Sequence, residues 1–134
     1  MVLEMLAADM EWTPFMRYCL LGTASNMAWH QHDFEAGLRY LYEALAISRQ
    51  MNLQAQVSED LTMLSRIFFE MDDAALARET ALEALEIARA VQDEVALAGA
   101  LDHLGQAELM AGHISAAAAC FEEAYMLCQS PDWR

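Results

Sequence analysis

Lysine is missing from this chain of 134 residues. All seven basic side chains are arginine, set against 21 aspartates and glutamates, for a net charge of −14. A chain this acidic, with no basic patch, repels phosphate backbones, so nucleic acid is not an expected partner of this segment. The same charge favours solubility and basic partners. Proline is confined to Pro14 and Pro131, and there are only five glycines. That is little turn chemistry for a small sheet protein, and composition leans to long helices. The three cysteines, Cys19, Cys120 and Cys128, are odd in number and form no CxxC pair. Cys120 and Cys128 stand two helical turns apart, too far to bridge, and the expectation is small buried thiols in a reducing cytoplasm. No apolar run approaches the roughly 18 residues of a membrane span. The start, Met1-Val2-Leu3-Glu4-Met5, lacks the basic region and apolar stretch of a signal peptide. A cytoplasmic chain outside the membrane is therefore expected.

What the chain does have is apolar content of 57% and an internal repeat. The apolar share exceeds the usual value of about 45–50%, as in helices packed on two sides or in a segment of a longer array. At an offset of 40, Glu43-Ala44-Leu45 falls on Glu83-Ala84-Leu85 and on Glu123-Ala124-Tyr125. Leu21, Leu61 and Leu101 align, as do Ser25, Ser65 and Gly105. A fixed period of this length means stacked units that bury their apolar faces against their neighbours.

Each unit divides into two helical patterns. Leu61, Leu64, Ser65 and Phe68 recur at i, i+3, i+4, i+7, break at Met71-Asp72-Asp73, and resume with Ala74, Ala77, Ala81, Ala84 and Ala88. Thr13 before Pro14 reads as an N-cap, Asn52 and Asp93 as caps at the equivalent places, and Asp33 and Asp73 as helix starts. Gly112 supplies a left-handed turn. These signals predict six helices, roughly over 13–31, 33–51, 53–71, 73–91, 93–111 and 113–129, joined by two-residue turns into antiparallel pairs. The repeats run over about 13–51, 53–91 and 93–129. Residues 1–11 read as the tail of a preceding helix, and Asp132-Trp133 as the start of another, so the chain is expected to be a fragment of a larger protein.

In the third repeat, Leu104-Gly105 is followed by Gly112, Ile114, Ala117, Phe121 and Ala124. This pattern resembles the tetratricopeptide repeat, and through the alignment the resemblance covers residues 13–129. The second repeat departs from it with Ser65, Asp72 and Ala81, and the first with Ser25. The resemblance implies an all-α, right-handed α-solenoid of antiparallel helix pairs, with three repeats and six main helices. The usual unit has about 34 residues. The 40-residue variant is similar to the sensor regions of bacterial regulators of the maltose-regulon-activator type.

In that family the first helix of each pair lines a concave face. Carried over by alignment, the resemblance implies a partner-binding groove with Asn26, Arg66 and Gln106 in one column. Trp29, Phe69 and Leu109 form a second, His30, Glu70 and Met110 a third, with Met63 and His103 alongside. The amides would bond a peptide backbone, Arg66 a carboxylate, and Trp29 and Phe69 apolar side chains. Glu59, Glu70 and Asp102 favour a basic or mixed partner. Gly22, Thr62 and Asp102 stand where a chaperone-tail clamp would place a lysine, which argues against that role.

His30-x-His32-Asp33 reads as turn residues ahead of a metal set. No catalytic constellation, phosphate loop or HExxH occurs, so neither enzyme activity nor a cofactor is expected. The expected function is a scaffold that binds a peptide or protein segment in its groove within a larger signalling or transcription-regulatory protein. The alternatives are a small-molecule-sensing segment of a regulator and a module that self-associates through its ends.

Overall fold

The computed structural model describes residues 13–129. Among them it contains six α-helices and no strand. These are α1 (Pro14–His30), α2 (Phe34–Gln50), α3 (Gln54–Glu70), α4 (Ala74–Val91), α5 (Glu94–Met110) and α6 (Ile114–Cys128). All six fall where the sequence predicts them. The expectations for 1–11 and for Asp132-Trp133 lie outside the described residues. No helix among those described is long and apolar enough to cross a membrane.

Helices α1, α2, α4 and α5 begin on side-chain caps. Thr13 Oγ1 accepts from the Met16 amide at 3.2 Å, and Pro14 occupies the first turn, where its missing N–H costs nothing. Asp33, Asp73 and Asp93 accept from the amides of Ala36, Leu76 and Ala96 at 3.3, 3.1 and 3.1 Å. Each such cap stabilises its helix by about 1 kcal/mol. Asn52 stands in the turn ahead of α3. It takes a left-handed backbone at φ 57°, and Leu53 is the residue before the helix.

The helices end in one repeated device. His32, Asn52, Asp72, Gln92 and Gly112 all have positive φ, between 57° and 85°. In each case the residue's own amide donates three residues back. The following amide donates five residues back, as in Asp33 to Ala28, Leu53 to Ser48 and Asp73 to Phe68. This paired pattern is the Schellman motif, which satisfies carbonyls that the last helical turn leaves open. The turns are therefore one residue longer than predicted at four of five junctions; only Gln92-Asp93 has two.

The chain divides into two compact units, one ending at Leu53 and the other beginning at Gln54. In the first, α1 packs on α2. Leu21, Ala24, Ser25 and Ala28 form the buried face of α1, and Ser25 Oγ donates to the Gly37 carbonyl at 3.1 Å. In the second, α3 packs on α4, α4 on α5, α5 on α6, and α3 also on α5. The buried residues of α4 are four alanines, Ala77, Ala81, Ala84 and Ala88, each with no exposed surface. Side chains this small let the neighbouring helices come close. Ser58 Oγ reaches the Ala84 carbonyl at 2.8 Å and Ser65 Oγ the Ala77 carbonyl at 2.7 Å.

The second unit solves the same packing problem in two ways. Ser65 donates to the Ala77 carbonyl, with Ala81 at the position that Phe121 takes in the next repeat, whereas the equivalent Gly105 lies under the ring of Phe121. A Cβ at Gly105 would come within 2.6 Å of that ring. The missing Cβ at Gly105 makes room for the ring that Phe121 brings where the second repeat has Ala81.

The candidate binding surface of the second unit

Helices α3 and α5 pack on one another, and Gly99 of α5 faces Thr62 of α3. A Cβ placed there would meet only the Thr62 Cγ2 methyl, at 3.9 Å. Around this point Glu59, Thr62 and Met63 of α3 and Val95, Ala96 and Gly99 of α5 line an open cleft of about 270 Å³. Its walls are mainly aliphatic, and Val95 is 63% exposed. Glu59 sits at the edge of this cleft. Much of its side chain meets solvent, yet partial burial and the neighbouring charge of Asp93 raise its carboxyl above the usual range.

The predicted groove residues of this unit fall on the two helices that bound the cleft. Met63 lines it directly. Arg66 and Phe69 are half-buried and Glu70 exposed. Burial pulls the Arg66 guanidinium below its ordinary value, and Glu70, one turn on, opposes that shift. Arg66 stays charged, since no protein environment of this kind neutralises a guanidinium. On α5, His103, Gln106 and Met110 are half-buried, and Leu109 is 50% exposed. Gln106 Nε2 donates to Asp102 Oδ2 at 3.1 Å, which holds the amide along the helix surface. His103 Nδ1 lies 2.9 Å from the Gly99 carbonyl. A carbonyl can only accept, so Nδ1 carries the proton and Nε2 keeps the lone pair in the neutral ring.

The predicted residues of the first unit stand by themselves on α1. Asn26 and His30 are exposed and Trp29 is half-buried. Trp29 and His30 meet edge to face, with ring centroids 4.9 Å apart. His32 lies in the left-handed turn against Phe34, and Asp33 is engaged as a cap. Among the described residues no three histidine, cysteine or acidic side chains are grouped as a metal site.

Two features were not foreseen. The first is a buried acid: the Glu108 side chain is 7% exposed, and Oε1 accepts from Arg78 Nε at 2.6 Å and from His113 Nδ1 at 3.3 Å. Arg78 comes from α4 and His113 from the turn before α6, so the carboxylate ties three segments of the unit together. The repeat held a signal for it. Position 108 aligns with Ala28 and Phe68, and an acid in an apolar register needs a partner. The second concerns the cysteines. Cys19 and Cys128 are exposed and Cys120 is half-buried, so none of the three is the buried thiol expected. Burial, together with the charges of Glu108 and Glu123, pushes the Cys120 thiol up, with Arg89 opposing.

Neither the family models nor the curated proteins compared with this chain give a match.

Proposed function

We propose that this chain is a tetratricopeptide-like solenoid of antiparallel helix pairs that docks an extended peptide or protein segment along its first-helix faces. The observation that carries this reading is the open aliphatic cleft between α3 and α5, on the helices that hold Met63, Arg66, Phe69, Gln106 and Leu109. It joins solvent-facing apolar surface to polar and charged groups on the same two helices, the mixture that distinguishes a recognition surface from a core. Its volume of about 270 Å³ lies below the roughly 300–1,000 Å³ typical of pockets that enclose a small ligand, which favours single side chains of a longer partner over a sugar-sized metabolite. The net charge of −14 selects basic or mixed segments.

Selection of a random peptide library on the full chain tests the proposal. Enriched sequences are expected to combine basic and apolar residues. Val95→Ala should weaken the selected peptides about fivefold, a loss of roughly 1 kcal/mol, by removing apolar wall without adding charge. The substitution is mild for folding, because Val95 is exposed and alanine is a strong helix former. A library that yields no binders, or binders indifferent to Val95→Ala, overturns the reading.

A further inference from the structure

Among the described residues that line the cleft between α3 and α5, Glu59 is the one carboxylate and none is a lysine or arginine, and His103 Nδ1 is held by the Gly99 carbonyl at 2.9 Å. Among the described residues Glu59 makes no ion pair, and the charge that acts on it is the like charge of Asp93. Its own helix offers one arginine, Arg66, two turns away and electrostatically engaged with Glu70. Asp93 spends part of its carboxylate on the Ala96 amide at 3.1 Å and, with Glu94, offsets the positive end of the α5 dipole. The remaining surface is aliphatic: the Thr62 methyl, Met63, Val95, Ala96 and the bare backbone of Gly99.

We infer that this cleft receives the side chain of a lysine or arginine from a basic partner segment, its methylene stem against Met63, Val95 and Gly99 and its cation beside Glu59 and Asp93. The inference rests on the peptide-docking reading and names the side chain that the docking site selects. Three features of the place match this occupant. Long basic side chains bury their stems on apolar surface while the charged head stays near water, which suits an open cleft with an acid at its edge. The missing Cβ at Gly99 leaves the floor free for a linear chain. A neutral aliphatic side chain would cover the same walls but leave the two like charges uncompensated, whereas a cation relieves their repulsion.

The probe is n-butylammonium, compared with 1-butanol as its neutral counterpart, titrated into the full chain with ¹³C-labelled methyl groups. The Met63 and Val95 methyl resonances should shift and saturate with both. The ammonium should bind up to about fivefold more tightly than the alcohol, the range of a partly exposed ion pair. Glu59→Gln, with an unchanged far-ultraviolet spectrum, should lower the ratio towards one. Gly99→Ala, which meets only an ordinary contact with Thr62, should weaken both probes alike. Equal affinities in the unsubstituted chain, or shifts that leave Met63 and Val95 unmoved, overturn the inference. The outcome separates from that of the peptide selection. Selected peptides without an ammonium preference leave the docking surface standing and remove the cation site. An ammonium preference without any selected peptide does the reverse.

Discussion

Glu59 is a residue whose charge works against folding at neutral pH. Burial and Asp93 raise its pKa in the folded chain above the unfolded value. The folded state therefore holds this proton more tightly than the unfolded state does. The stabilising contribution is complete below the ordinary carboxylate range, near pH 4, and is lost as pH rises through that range and past the raised folded value. At pH 7 an uncharged amide of the same shape should fold more stably. Glu59→Gln is expected to raise the melting temperature at pH 7, with the difference shrinking as the pH approaches 4. Thermal melts by circular dichroism at the two values decide it, and a lower melting temperature for the variant at pH 7 would contradict the assigned environment. The same substitution is expected to lower the preference for a cation in the cleft. A residue that costs stability where it stands, and whose replacement costs binding, is the pattern of a surface kept for recognition. Cys120 illustrates the opposite case. Its raised pKa keeps the thiol protonated at neutral pH, and a thiol in that state is a poor nucleophile.

At the scale of the element, the helix ends carry the regularity. Five left-handed residues recur at 32, 52, 72, 92 and 112, twice as often as the side-chain repeat, because every junction uses the same Schellman turn. Only Gly112 has the residue type that this backbone prefers. Gln92, at φ 57°, bears a Cβ in a region that crowds its own carbonyl. Gln92→Gly should stabilise the chain by about 0.5–1 kcal/mol, read as a higher urea midpoint at unchanged slope. A lower midpoint would mean that the Gln92 side chain contributes more than its backbone costs. These ends also mark what could be read from the sequence. Asp33, Asp73 and Asp93 announce helix starts because a short carboxylate next to an apolar periodic run has one economical use. The left-handed turns at His32, Asn52 and Gln92 were hidden, since hydrogen bonds of the preceding helix impose them and the side chain does not. The same division holds for the site. Met63 was assigned to the first-helix face through the register of its helix, and it lines the cleft. Val95, Ala96 and Gly99 were not readable, because they join Met63 only through the close approach of α5 to α3. Glu108 escaped because its partners, Arg78 and His113, are supplied by other segments.

At the scale of the whole chain, charge of one sign dominates. A net charge of −14 on 134 residues leaves most carboxylates without a cation. Among the described residues, Arg17 pairs with Glu43 at 3.1 Å, Arg78 with Glu108 at 2.6 Å and Arg89 with Glu123 at 3.0 Å. Two of the three pairs are solvent-exposed on both sides, a setting in which an ion pair contributes little. Repulsion among the remaining acids thus outweighs attraction, and it favours expansion of the chain. Salt shortens the reach of that repulsion from about 30 Å at 0.01 M to about 8 Å at 0.15 M. The melting temperature should therefore rise as sodium chloride is added over this range. Binding of a basic segment should move the other way, because the same ions screen its attraction to Glu59 and Asp93. Opposite signs for folding and binding in one salt series are a sharper expectation than either alone. A melting temperature that falls with salt would show that the few arginine pairs, and not the acidic excess, govern the electrostatics of the fold. The Arg78–Glu108 pair, whose acid is buried, would then be the first place to look for the difference.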